Sequence, residues 1–255
     1  MSKRPATASL ADENPAAGGV AAVDRALYLL AAFGNTTPVL SLSALAERTL
    51  LYKSTVLRLL ASLEHARLVE RQADGNYALG HGVARLHAIY AQSSSKESLV
   101  LPVLHELVTV TRESAAFHVR QGSHRLCLYR VDSPQPVRDH ISAGELLPLD
   151  RGAGGRVLQA YSREGDEELG QRIRHQQVVT LTGDREPQLA GIAAPVFAPS
   201  DQLAGVITLT MPRERLKPEW AETVRNAAQT LTEHLGGIFP TTGSDTLTSG
   251  APALS

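Results

Sequence analysis

The sequence predicts an α+β protein that begins with a winged helix-turn-helix, and three observations carry that prediction. Between Val20 and Gly80, three stretches of helical periodicity run into two short β-prone segments joined by Asp74-Gly75. From about Gly82 to Pro240, strands and helices follow one another in mixed order, which suggests helices around an antiparallel sheet. The 255 residues, 43% hydrophobic and 20% charged, suit a globular chain of one to two domains.

Residues 1–19 are rich in Ala, Pro and Gly without periodicity and read as a disordered arm; residues 241–255 read as a disordered tail. Val23, Ala26, Leu27, Leu30 and Ala31 then recur at helical spacing, and Gly34-Asn35 ends that helix. Ser41 or Ser43 caps a short second helix containing Leu45, Ala46 and Arg48. After a turn at Thr49–Tyr52, a third helix starts near Lys53-Ser54. Its inward stripe is Val56, Leu59, Leu60 and Leu63, which leaves Lys53, Ser54, Thr55, Arg58 and Ser62 on the outer side. Leu68–Arg71 and Tyr77–Leu79 flank the turn Ala73–Asn76 as a hairpin. A helix-turn-helix needs a small residue where its helices approach, met by Ala46, and a β-branched core residue early in the second, met by Val56. Its turn needs one residue at φ > 0, usually glycine, and this chain has Leu50 there.

In the second half, Val83–Tyr90 form a helix leading out of the wing, and another helix covers Leu99 to Thr111. Ala115–Arg120 and Arg125–Val131 alternate as strands around Gln121–His124. The glycine-rich turn Arg151–Gly155 opens a helix over Arg156–Tyr161, followed by a helix over Asp166–His175 and a strand near Val178–Leu181. Ile192–Phe197 and Leu203–Met211 form a hairpin, and a helix over Pro218–Leu235 closes the domain.

Composition excludes several classes. With 25 Lys+Arg against 26 Asp+Glu, the net charge of −1 argues against a protein that binds nucleic acid by bulk charge. Positive charge is instead local: Lys53, Arg58, Arg67 and Arg71 against Glu64 and Glu70 between positions 52 and 71. Such modest charge predicts weak non-specific binding and dependence on base contacts and bivalency. The single cysteine, Cys127, supports neither an intrachain disulfide nor a Cys-based zinc site, and its alternating context reads as a small buried thiol. Nine scattered histidines form no metal-binding spacing, so no metal and no cofactor are expected. No signal peptide precedes the first helix and no run of about 18 apolar residues exists, which predicts a cytoplasmic protein with no membrane partner. Nothing in the residues demands an enzyme.

Two surfaces carry chemistry. Hydroxyl and basic groups at the start of the third helix (Lys53, Ser54, Thr55) suit DNA phosphates, Arg58 one turn on suits base edges, and Arg71 and Asn76 extend the contact along the wing. The backbone amides around Gly152-Ala153-Gly154-Gly155 either hold an anion or form a tight turn. Gly183-Asp184-Arg185-Glu186-Pro187 is either a solvated loop or a ligand-facing segment. An alternative class is an S-adenosylmethionine-dependent methyltransferase fused to a winged helix, because Leu149–Gly154 resembles the first glycine loop of those enzymes. Too few residues follow for the parallel strands it needs, and no acidic residue is placed to hold the ribose.

The chain resembles the IclR-type bacterial transcriptional regulators from about Val20 to Gly237. The resemblance rests on Val23–Leu27 in the first helix, Leu42–Arg48 in the second, Lys53–Leu60 in the third and Asn76–Gly80 at the wing. In the second half it rests on Leu147–Leu149, Gly152–Arg156 and Gly191–Phe197. It implies a winged helix-turn-helix DNA-binding domain at 20–80, a linker helix at 81–96 and a GAF-like effector-binding domain at 97–240. It implies a double-stranded DNA operator as partner and a homodimer or dimer of dimers, paired through the DNA-binding and linker region. It also implies a small effector, often a carboxylate such as an aromatic or short keto acid; binding of that effector is expected to shift the arrangement of the paired DNA-binding domains and so change operator affinity. Carried onto this sequence, the effector pocket comprises Leu147, Ala153, Gly154, Leu189, Gly191, Thr208 and Thr210, with Asp184 the nearest acidic candidate. Leu50 and Tyr52 depart from the family's Gly and Pro, Arg156 from its Lys, and Gly191 from a polar or thiol side chain, so the effector's identity does not transfer. Amides around Ala153–Gly155, the two threonine hydroxyls and the apolar Leu147 and Leu189 supply suitable pocket chemistry on their own.

Overall fold

In the computed structural model, which describes residues 9–13, 15–34, 37–93 and 96–240, the chain divides into two units, 1–94 and 95–255. The first contains α1 (Leu10–Glu13), α2 (Ala21–Ala31), β1 (Val39–Leu40), α3 (Leu42–Thr49), α4 (Lys53–His65), β2 (Val69–Arg71), β3 (Tyr77–Leu79) and α5 (His81–Ser93). Leu29, Leu45, Val56, Leu60, Leu63, Val69 and Tyr77 form its core. Burying each large apolar side chain of that kind contributes roughly 1.5–3 kcal/mol. The wing is a three-stranded antiparallel sheet in the order β1-β3-β2; β1, two residues long, is too short to leave an alternation in the sequence.

Two differences from the sequence reading stand out in this unit. Ser9–Glu13 is not a structureless arm: Ser9 Oγ donates to Asp12 Oδ2 at 2.6 Å, and Arg25 on α2 grips Asp12 at 2.9 Å. Within the expected arm residues 15–19 are exposed, while 1–8, Asn14 and the expected tail 241–255 lie outside the described residues, as does Asn35. The apolar arc of α2 is turned: Leu29 is the residue sealed in the core, whereas Val23 and Leu27 are 54% and 57% exposed. Periodicity defines an apolar arc, and packing against α3 and α4 decides which part of it faces inward. Arg48, in the short helix expected to contain it, ties α3 to the end of α2, donating to the Ala32 carbonyl and to Thr37 Oγ1, both at 2.8 Å.

The second unit contains α6 (Lys96–Thr111), β4 (Ser114–Gln121), β5 (His124–Val131), β6 (Leu146–Pro148), α7 (Ala153–Tyr161), α8 (Glu167–Gln176), β7 (Val179–Thr182), β8 (Leu189–Ala198), β9 (Gln202–Pro212) and α9 (Trp220–His234). Its sheet runs β6-β5-β4-β9-β8-β7, every neighbouring pair antiparallel. The parallel strands that a methyltransferase needs are absent from the described residues. The pleat sorts the side chains of β9: Ile207, Leu209 and Met211 join the core with Leu104 of α6 and Leu231 of α9, while Val206 packs with Val157 and Leu158 of α7. Thr208 and Thr210 share the parity of Val206, which places them on the α7 side of the sheet. The three-residue strand β6 carries no sequence signal and is held in place by pairing with His124–Leu126. Among the described residues, no helix is long and apolar enough to cross a membrane.

Candidate functional site

Ser41, rather than Ser43, caps α3: its Oγ accepts from the Ala44 amide at 3.2 Å. Leu50 then takes φ 56° and ψ 26°. Its amide donates to the Glu47 carbonyl and that of Leu51 to the Ala46 carbonyl, the paired bonds of a left-handed helix end. The turn therefore keeps the geometry that favours glycine, with a leucine in the strained position. A left-handed residue with a Cβ costs about 1–2 kcal/mol, and the Leu50 side chain, 45% exposed, recovers little of it by packing. Leu50→Gly should stabilise this unit by about 0.5–1 kcal/mol, after the entropy glycine adds to the unfolded chain. Urea unfolding of the full chain measures it, and a loss of stability contradicts the strain.

The turn delivers α4 with its first-turn amides uncapped, since Tyr52 makes no side-chain capping bond. Lys53, Ser54 and Arg58 are exposed and Thr55 is half-buried. Among the described residues Arg58 makes no hydrogen bond or ion pair, so its guanidinium is available to a partner. Leu57 and Tyr52, which the sequence reading did not include, are exposed alongside. On the wing, the Arg71 guanidinium lies 5.9 Å from the centre of the Tyr77 ring. The Asn76 amide donates to Asp74 Oδ2 at 2.8 Å, so that side chain holds the turn around Gly75 (φ 84°).

In the second unit one small cavity, about 40 Å³, brings together Ala153, Gly154, Asp184, Leu189, Gly191, Thr208 and Thr210. Leu147 is not among its walls; it packs with Ala116, Cys127 and Ile141, and only Ile141 of that group reaches the cavity. Cys127 is a buried thiol whose pKa burial pushes up to about 12, so it stays protonated and unreactive. The cavity also draws in His118, Arg125 and Arg130, which the sequence reading did not offer as site residues, and Arg185, from the segment it left open between a solvated loop and a ligand-facing one. Parity carried a usable signal: Arg125 shares a strand face with Cys127, itself read as buried, and a basic residue on a buried face points to a site.

Arg125, with the Leu149 carbonyl and Thr208, explains the glycines. Its Nη1 donates to the carbonyls of Pro148 at 3.0 Å and Arg151 at 2.6 Å, so the guanidinium runs under the start of α7. A Cβ on Gly155 would stand 2.6 Å from that Nη1, and one on Gly154 would stand 2.8 Å from Thr208 Cγ2. Gly152, at φ 78°, supplies the left-handed residue before the helix, which begins at Ala153 instead of Arg156. Asp184 closes the same turn: it accepts from the Gly152 amide at 2.5 Å and from Arg156 Nη2 at 2.9 Å. Burial pushes its carboxyl pKa upward, but the bonds from Arg156 and the Gly152 amide outweigh that and hold it below the usual range. Asp184 thus braces the cavity as a fixed carboxylate already committed to partners.

The electrostatics of the cavity are set by arginine. Asp139, its side chain fully buried, lies 3.2 Å from Arg185 and 3.5 Å from Arg130, and its Oδ1 accepts from the Ile141 amide at 2.9 Å. Arg125 Nε, Arg185 Nη2 and His118 Nδ1 are buried without a hydrogen-bond partner; the Arg185 atom is near Asp139 but outside hydrogen-bond geometry. Burial lowers the Arg125 pKa to about 10, with Arg185 adding to the effect, and leaves it a cation at neutral pH. The other His118 nitrogen, Nε2, bonds Thr208 Oγ1 at 3.1 Å.

Burial first, then Arg125, Arg130 and Arg185, drive the His118 pKa well below 6.5, so the folded protein holds a neutral imidazole. The unfolded chain takes up that proton below about pH 6.5, so stability falls as pH drops through this value. The contribution is about 1.4 kcal/mol per pH unit. His118→Gln should flatten the pH dependence of urea unfolding between pH 6.5 and 5; a slope equal to that of the unaltered chain contradicts the assignment.

Comparison with known proteins places this architecture. The family model described as IclR helix-turn-helix domain matches residues 22–73, and that described as Bacterial transcriptional regulator IclR C-terminal matches 90–184; together they take in more than half of the chain. The HTH-type transcriptional regulator KipR of Bacillus subtilis is 24% identical over 229 residues, spanning 78% of this chain and 91% of its own. The HTH-type transcriptional regulator TtgV of Pseudomonas putida is 33% identical over 151 residues, 58% of each chain. An IclR transcriptional regulator from Alicyclobacillus acidocaldarius superposes with a TM-score of 0.74 at 22% identity, covering 85% of this chain and 98% of that one. An IclR homolog from Microbacterium hydrocarbonoxydans, complexed with 4-hydroxybenzoate, superposes at 0.70 with 20% identity, covering 84% and 99%. At those identities the two structures share the fold.

Proposed function

We propose a function for this chain, which belongs to the IclR family of bacterial transcriptional regulators: it holds a DNA operator through its helix-turn-helix, and a small carboxylate in the arginine-lined cavity changes that grip. The observation that carries the effector half is Arg125, a buried cation whose Nε has no partner, facing a cavity with Thr208, Thr210 and a neutral His118. A buried N–H left unsatisfied is costly, and a carboxylate oxygen satisfies it with a charge-assisted bond. The 4-hydroxybenzoate in the Microbacterium protein supports the ligand class.

On the DNA side, Lys53, Ser54, Thr55 and the uncapped amides of α4 contact phosphates, Arg58 reads a base edge in the major groove, and Arg71 tracks the backbone from the wing. Asn76 contributes by shaping the wing turn. The exposed apolar residues Val23 and Leu27 of α2 and Leu86 and Ile89 of α5 suit pairing of the DNA-binding and linker region in a homodimer or dimer of dimers. Such an oligomer reads half-sites of related sequence in the cytoplasm.

Operator mapping upstream of the protein's own gene, with and without small carboxylates, tests both halves. Arg58→Ala should weaken specific operator binding about 10- to 100-fold in gel shifts without altering the unfolding transition; unchanged affinity removes Arg58 from the reading face. In a thermal-shift screen, carboxylates that stabilise the protein should lose their effect in Thr208→Val/Thr210→Val, and a shift that survives both changes places the ligand elsewhere.

A further inference from the structure

The charges around the cavity pair off with one left over. Asp184 is matched by Arg156 at 2.9 Å, Arg130 by Asp132 at 2.7 Å, and Arg185 by the buried Asp139 at 3.2 Å. At the edge, Glu186 and Arg138, 41% and 45% exposed, add one charge of each sign. Arg125 has only backbone carbonyls for partners, and among the described residues no carboxylate lies within ion-pair distance of it. We infer that the cavity is matched to a ligand carrying a single negative charge, placed against Arg125, and that Asp139 sets this limit by consuming the second available cation. The inference rests on the carboxylate reading above and deepens it.

The physical reason is the cost of an unpaired buried charge. One ligand carboxylate satisfies Arg125. A second in the same cavity has no free cation to meet it and faces Asp139, a like charge, across Arg185. Burying a charge without a counter-charge is strongly unfavourable. Asp139→Asn keeps the oxygen that accepts from the Ile141 amide, removes one negative charge and frees Arg185 for a second carboxylate.

Calorimetric titration of the full chain tests this with probes that differ by one carboxylate: butanoate against butanedioate, and benzoate against benzene-1,4-dicarboxylate. The monoanion of a pair should bind at least ~10-fold tighter, and Asp139→Asn should move the ratio at least ~10-fold toward the dianion. Arg125→Met, which removes the unmatched cation, should lose the monoanion by a comparable or larger factor and keeps the inference testable if Asp139→Asn does not fold. A dianion bound as tightly as its monoanion, or a ratio unmoved in folded Asp139→Asn, overturns the inference while the carboxylate reading stands; unaltered monoanion binding in Arg125→Met overturns both. If none of the four probes binds, the carboxylate reading itself falls and the inference with it.

Discussion

Arg125→Met should abolish the response to carboxylates while leaving operator binding in their absence intact. Methionine keeps an unbranched apolar stem but cannot donate to a ligand. Losing a charge-assisted bond in a desolvated site corresponds to about 100-fold in apparent affinity. The same change orphans the carbonyls of Pro148 and Arg151, which Nη1 now satisfies at 3.0 and 2.6 Å, so about 1–3 kcal/mol of stability should be lost as well. Two measurements separate these effects: gel-shift titration with effector reads the first and urea unfolding the second. A half-effect concentration equal to that of the unaltered chain removes Arg125 from the ligand site.

The second large effect is on stability. Asp139 is completely buried between Arg185 and Arg130, whose side chains are themselves 13% and 5% exposed. Truncating it leaves the largely desolvated Arg185 guanidinium without its buried counter-charge, while Arg130 keeps Asp132 at 2.7 Å, and breaking a buried pair from one side costs about 3–5 kcal/mol. Asp139→Ala should therefore unfold the second unit at markedly lower urea or temperature. Adding Arg185→Met to Asp139→Ala should restore part of the loss, because the unmatched charge goes with its partner. Equal transitions for Asp139→Ala and the unaltered chain would mean that solvent already screens these arginines.

Much of the first unit was legible from residue order. Helix starts, the hairpin at Asp74-Gly75 and the position needing φ > 0 follow from local chemistry, and Leu50 occupies that position at φ 56°. The rotation of α2 was not legible, because Val23, Leu27 and Leu29 are all apolar and only the neighbouring helices distinguish them. In the second unit, strand parity placed Thr208 and Thr210 together. Leu147 lies outside the cavity walls although it stands opposite Arg125 in the pairing of β6 with β5, because it packs with Cys127 and Ile141, a neighbourhood that only the fold assembles. Asp184 was placed at the cavity but with its partners unknown, since Arg156 and Gly152 come to it only through the fold.

By itself, the sequence determined an α+β chain, a winged helix-turn-helix with its basic face on the third helix, and a glycine-rich helix start beside a β-hairpin carrying two threonines. Those features are written in intervals of two to four residues, the range over which backbone geometry and periodicity act. The tertiary structure alone decided the cavity's charge. Arg125, Arg130 and Arg185, with Asp139 between the last two, are spread over some 60 positions of the chain. They meet because β4, β5 and the segments after β5 and β7 close around the start of α7. Whether a buried arginine is neutralised or left to hold a ligand depends on distances of about 3 Å, and no local pattern encodes them.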